Sequence, residues 1–176
     1  MFLVTSNPNK VKEFSQILRL ELAQVNLDLD EIQAIEVEKV VRHKAKQAYD
    51  LIKRPLLVED TGLYIEEWHN FPGALIKWVG ETIGYERICQ MIGKNRRAKA
   101  ETAVGFYDGR TYQCFTGKVI GKIANQPMGK TNFGWDNVFI PDGYCQTFAQ
   151  MGVEKNKISM RRIALERLQD FLKSYH

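Results

Sequence analysis

The chain has 176 residues, of which 44% are hydrophobic and 26% charged, and a formal charge of +4; this balance suits one globular domain over residues 1–176 with a full core. No apolar run approaches the roughly 20 residues that cross a bilayer, which excludes a membrane-spanning role. Lys and Arg alternate with Asp and Glu outside the short run Lys94-Asn95-Arg96-Arg97, so the charge does not force nucleic-acid binding and suits a small anionic substrate equally well.

Cys89, Cys114 and Cys145 are scattered and odd in number, and no secretory signal is expected around Met1-Phe2-Leu3-Val4; the thiols are expected to be reduced and the protein cytoplasmic. His43, His69 and His176 show no metal-ligand spacing, so zinc chemistry is not expected. In chain order, Phe2–Thr5 reads as a strand feeding directly into a helix. Asn7 can cap that helix, Pro8 suits its first turn, and Val11, Phe14, Ile17, Leu18 and Leu22 recur at helical spacing. A second strand is predicted near Val25–Leu29, then a helix over Val37–Ile52 with Val40, Val41, Ala45, Ala48, Leu51 and Ile52 on or near its inner face. A third strand, Leu56–Glu59, stops at Glu59-Asp60-Thr61-Gly62, read as a turn. The order β-α-β-α-β indicates an α/β sheet with helical cover.

After Phe71-Pro72-Gly73, two short helices are predicted over Ala74–Val79 and Gly84–Ile92. Ala103–Tyr107 and Thr111–Phe115 flank Asp108-Gly109, a hairpin signal, and Val119–Ile123 prolongs the second arm. The glycine-rich, aromatic stretch Gly129–Asp136 leads into a short strand at Val138–Ile140. Ser159 caps a last helix over Met160–Ser174, with Ile163, Ala164, Leu168, Phe171 and Leu172 inward.

Four places carry chemistry, each beside a plainer reading. A strand running into a helix N-terminus at Thr5–Lys10 offers backbone N–H groups and a positive dipole end for a triphosphate, with Lys10 alongside; equally, Asn7 and Pro8 simply start a helix. Glu59 and Asp60 at a strand rim suit a hard divalent cation, with Glu31 as a further oxygen donor, or else Asp60 closes a turn and Glu31 is a surface acid. Phe133-Gly134-Trp135-Asp136 offers aromatic faces beside a carboxylate, suited to a heterocyclic base or to packing a loop. Lys155, Arg161 and Arg162 are placed to reach a phosphate or base carbonyl, or form a solvated basic helix start.

Taken together, Thr5-Ser6-Asn7-Pro8-Asn9-Lys10, Glu31-Ile32-Gln33, Val58-Glu59-Asp60-Thr61-Gly62-Leu63, Phe71-Pro72-Gly73-Ala74 with Ile76-Lys77-Trp78, Phe133-Gly134-Trp135-Asp136 and Ser159-Met160-Arg161 resemble the inosine triphosphate pyrophosphatase family in the same order. The resemblance implies an elongated α/β fold with a central mixed sheet and two lobes flanking a substrate cleft, usually a homodimer. It implies hydrolysis of non-standard purine nucleoside triphosphates to a monophosphate and diphosphate. It further implies substrate contacts from Thr5, Ser6, Asn7, Lys10, Lys44, Thr61, Phe133, Gly134, Trp135, Asp136, Lys155, Met160 and Arg161. Mg²⁺, with Mn²⁺ as a substitute, would be held by Glu31 and Asp60 with help from Glu59, and Asp60 would take the proton of the attacking water. Met160 departs from the family pattern, which carries histidine there. The change falls on the base side and leaves the acids and phosphate-binding residues intact. Two rivals remain at this point: a pyrophosphatase for other modified nucleotides, and a non-catalytic nucleic-acid-binding module using Lys94–Lys99 and the aromatic loop.

Overall fold

The structure, a computed structural model, describes residues 1–130 and 133–175. Thr131, Asn132 and His176, which the sequence reading included, lie outside the described residues. Its centre is a mixed sheet of seven strands in the order β2-β1-β3-β5-β6-β7, with β4 paired to β3. β1 (Phe2–Val4) lies parallel to both β2 (Ala23–Val25) and β3 (Leu56–Ile65), linked by α1 (Pro8–Leu18) and α2 (Val37–Ile52). β4 (Pro72–Gly73), β5 (Arg97–Tyr107), β6 (Tyr112–Ile123) and β7 (Phe139–Pro141) are antiparallel to their neighbours. α3 (Ile76–Ile83), α4 (Tyr85–Met91), α5 (Phe148–Met151) and α6 (Met160–Ser174) complete the order.

Local signals set α1, α2 and α6. Asn7 Oδ1 accepts from the Asn9 N–H at 2.9 Å and Pro8 opens α1, while Ser159 Oγ accepts from the Arg162 N–H at 3.2 Å to open α6. α2 buries Val37, Val41, Ala45 and Ala48 in one stripe on the sheet. Leu51, expected near that stripe, is exposed because it lies about 100° around the helix from Ile52.

Two strands differ from expectation. The second is Ala23–Val25 rather than Val25–Leu29, because β1 offers partners only as far as Val4↔Val25. The chain then leaves the sheet, and Leu27 and Leu29 pack beside α2 instead. β3 does not stop at Glu59. β5 pairs with it from Leu56↔Tyr107 to Ile65↔Ala98, and ten residues of partner outweigh the turn tendency of Asp-Thr-Gly. Gly62 is needed for close approach, since a β-carbon there would come 2.9 Å from the Gly73 carbonyl carbon and from Val37 Cγ1.

The hairpin loop is four residues, Asp108–Thr111, because Tyr107 pairs with Tyr112; Asp108 Oδ1 accepts from the N–H groups of Arg110 and Thr111. The last strand begins at Phe139 rather than Val138. α5 and the 3₁₀ turn Gly152–Lys157 were not expected, although Thr147-x-x-Gln150 is a capping box and both of its bonds form.

The core has three parts. One lies under α1 and α6, including Phe14, Leu57, Phe106 and Leu165. A second lies under α2 on the opposite sheet face. The third joins α3, α4 and α5 to the far end of the sheet through Ile76, Ile88, Phe139 and Phe148. Arg96 ties this last lobe together by donating to the carbonyl oxygens of Ile92, Cys89 and Ile123. The two ends of the molecule thus carry separate cores, and a cleft opens between them.

Candidate active site

The cleft has a volume of about 990 Å³ and is lined from both lobes, a size suited to one small-molecule ligand. Because β1 ends at Val4 beside Val58, the chain leaving β1 and the residues after Val58 meet at the carboxyl end of the parallel strands, where ligands of α/β sheets commonly bind. Thr5, Ser6, Asn7 and Lys10 line the cleft there, with Thr5 Oγ1 accepting from the Asn7 N–H at 3.1 Å.

Glu59 and Asp60 are consecutive strand residues and so point to opposite faces. Asp60 faces α2, where Lys44 Nζ reaches it at 3.2 Å and reaches Glu31 at 2.6 Å. Asp60 Oδ1 also accepts the Thr61 N–H at 2.8 Å without ending the strand. Burial pushes the Asp60 carboxyl above its ordinary value, although Lys44 and Lys10 pull the other way. For Lys44, burial alone would lower the ammonium, but Asp60 and Glu31 carry it upward; for Glu31, burial would raise the carboxyl, but Lys44 carries it downward.

Glu59 faces α1 and α6. Its oxygens meet Lys10 Nζ at 2.6 Å and Arg161 Nε at 2.9 Å, and Arg161 Nη1 meets Glu13 at 2.6 Å. Burial would raise the Glu59 carboxyl, but Arg161 and Lys10 carry it down to about 2. Both Glu59 oxygens are thus met by cations, and strand alternation turns the side chain away from the Glu31–Asp60 pair.

The other end of the cleft is built from Phe133, the 3₁₀ turn Gly134–Asn137, Lys155 and the start of α6. Asp136 and Lys155 form a buried pair at 2.5 Å. Burial raises the Asp136 carboxyl against the opposing pull of Lys155. Lys155 Nζ lies 4.9 Å and Arg161 Cζ 5.3 Å from the Phe133 ring centre, so the aromatic face is polarised by two cations. Trp135 stands edge-on to Phe139 at 6.0 Å, and Met160 is buried in the same apolar cluster while lining the cleft.

Every residue that the family resemblance assigned to substrate or metal lines this one cleft. Arg162 does not; its Nε turns to Glu166 at 2.8 Å along the outside of α6. Arg96 is bonded to backbone carbonyls and Arg97 pairs with Asp142, so the basic run near Lys94 is largely committed to the fold. The aromatics around the Pro72 turn divide: Trp68 and Phe71 lie 6.4 Å apart, whereas Trp78 stands at the cleft with Lys77 Nζ 4.9 Å from its ring.

Sequence reasoning assigned no role to Lys77, Glu81, Tyr85 or Glu13. Glu13 lies three residues after Lys10 on one helix face, a spacing that sets Lys10 against Glu59 and Glu13 against Arg161 of the same buried pair. The α3–α4 residues carried no local signal, since only the folding of that lobe brings them to the cleft.

An α/β sheet with lysines and acids gathered at the carboxyl end of its parallel strands, and an aromatic, cation-lined recess opposite, defines an anion-binding protein with room for a flat heterocycle. A model of the Ham1 family matches residues 1–171, and the chain belongs to that family. It is 40% identical over 176 residues to the dITP/XTP pyrophosphatase of Thermococcus kodakarensis, covering 97% of this chain and 95% of that one. It is 39% identical over 189 residues to the inosine triphosphate pyrophosphatase of Scheffersomyces stipitis, covering 97% and 96%. The Staphylococcus aureus Ham1 protein shares its fold with a TM-score of 0.85 at 23% identity over 99% of each chain.

Proposed function

We propose that this protein hydrolyses non-standard purine nucleoside triphosphates, inosine, deoxyinosine and xanthosine triphosphates, to the monophosphate and diphosphate, and so removes them from the nucleotide pool. The observation that carries this reading is one cleft with Lys10, Lys44, Glu31 and Asp60 at one end and Phe133, Asp136 and Lys155 at the other. Relatives near 40% identity named for this activity support it.

The donor set fits Mg²⁺, or Mn²⁺ in its place. Glu31 and Asp60 offer hard oxygens that already converge on one positive centre, the Lys44 ammonium. Among the described residues no three His, Cys, Asp or Glu side chains form a metal group, so substrate phosphates and water would complete the shell, as is usual for this ion. When bound, the ion would offset phosphate charge and lower the pKa of water. Asp60, raised by burial, is poised to accept the proton of the attacking water. Lys10 and the N-terminus of α1 oppose the charge that builds on the phosphates. Lys44 fixes the two carboxylates relative to each other.

At the base end, Arg161 is held by Glu13 and Glu59, so its guanidinium plane is set before substrate arrives. A base with an acceptor oxygen where adenine carries an amino group satisfies such donors, and adenine leaves them unpaired, a mismatch worth up to roughly 10⁴-fold in discrimination. We further propose that the protein acts in the cytoplasm as a homodimer. Its free cysteines suit the first, and the exposed Phe71 beside Trp68 suits the second.

Hydrolysis of inosine triphosphate in oxygen-18-labelled water tests the reaction. Attack at the α-phosphorus puts the label into inosine monophosphate; label in the diphosphate instead would contradict the proposed direction of attack.

A further inference from the structure

Tyr85 is the first residue of α4, and its ring folds back over α3 where Gly80 leaves it room, since a β-carbon at Gly80 would fall on the ring. At the same hydroxyl end of the ring, a β-carbon at Gly134 would come 3.2 Å from Tyr85 Oη. Two residues without side chains thus flank the phenol. Gly80 is buried in α3, and Gly134, with φ +37°, opens the turn that carries Trp135 and Asp136. The ring body rests on the apolar cluster that includes Trp135, while the residue lines the cleft beside Phe133 and Asp136.

The hydroxyl has no hydrogen-bond partner among the described residues. Burial raises its pKa, and Glu81 and Asp136 act in the same direction, so at neutral pH the group remains an O–H donor. A tyrosine with a packed ring and an uncommitted polar tip in a cleft is suited to a ligand that is apolar on its face and carries acceptors on its edge.

Building on the nucleotide reading above, we propose that Tyr85 is a base-recognition residue: its O–H donates to an acceptor on the edge of the bound purine, and its ring closes the outer wall of that end of the cleft. A purely packing role would need only the ring, which phenylalanine also supplies. The hydroxyl is therefore the part to test.

Steady-state hydrolysis of inosine triphosphate by the wild type, Tyr85→Phe and Tyr85→Leu separates the roles, with tripolyphosphate as a competitive inhibitor that carries no base. The expected result for Tyr85→Phe is a KM raised about 5–10-fold, the loss of one hydrogen bond, with kcat within about twofold and the tripolyphosphate inhibition constant unchanged. Tyr85→Leu raises KM further because the wall is lost as well. An unchanged KM in Tyr85→Phe, or a KM and tripolyphosphate constant that rise together, would overturn the proposal. A wild-type protein inactive on inosine triphosphate would overturn the proposed function instead, so the two failures are told apart by the unmodified protein.

Discussion

Asp60→Asn lowers turnover of inosine triphosphate by about 10²–10⁴-fold, the usual contribution of a positioned general base. The substitution keeps the size of the side chain, and an amide oxygen can still accept the Thr61 N–H that Asp60 Oδ1 now accepts at 2.8 Å. Lys44 keeps its 2.6 Å bond to Glu31. The fold is therefore retained. Stability is unchanged or improved, because burial disfavours the Asp60 carboxylate in the folded state and the neutral amide removes that cost. Steady-state kinetics beside a thermal melt checks both halves. Near-normal turnover would remove Asp60 from the chemistry, and a collapsed melting transition would make it a structural residue.

Arg161→Ala has the largest expected effect on stability. Arg161 is 3% exposed and Glu13 and Glu59 are nearly as buried, so removing the guanidinium leaves Glu13 without its cation and Glu59 with Lys10 alone. Breaking a buried pair in this way costs about 3–5 kcal/mol. The same change raises KM for inosine triphosphate, because one of the two cations that face Phe133 is gone.

The pH dependence of stability follows from Glu59. Its folded carboxyl lies at about 2, below its ordinary value of 4.5, so its contribution is full above the ordinary value and is lost as pH falls toward 2. Arg161→Ala shrinks that acid-sensitive part. Denaturant titrations between neutral and acid pH measure it; a variant with wild-type stability and an unaltered acid slope would show that the Glu13–Arg161–Glu59 cluster does not hold the cleft together.

How much of this was legible in the sequence depended on whether the determinant was local. The bounds of α2 and α6 matched expectation because an apolar stripe in one and the Ser159 cap in the other are signals within one turn of the helix they define. The gathering of Thr5, Asn7 and Lys10 at the cleft was legible for the same reason, since strand, cap and Lys10 follow one another in sequence. β3 was misjudged because its length is decided by β5, about forty residues later in the chain, and Asp-Thr-Gly carries turn chemistry that a full-length partner overrides. That misjudgement bears on the site: treated as the tip of a strand, Glu59 and Asp60 looked like neighbours on one rim, whereas as consecutive strand residues they face opposite sides of the sheet. Glu13 was within reach of the helix periodicity argument. Tyr85 was not, since its place beside Gly134 comes from the packing of α3 against a turn some fifty residues away.

The most direct test is incubation of the protein with inosine, xanthosine, guanosine and adenosine triphosphates, with and without Mg²⁺, measuring diphosphate separately from orthophosphate. The account predicts Mg²⁺-dependent diphosphate release from inosine and xanthosine triphosphates and little from the other two. Equal release from all four would contradict recognition at the Phe133–Asp136–Lys155 end, and release of orthophosphate or of nothing would contradict the pyrophosphatase itself.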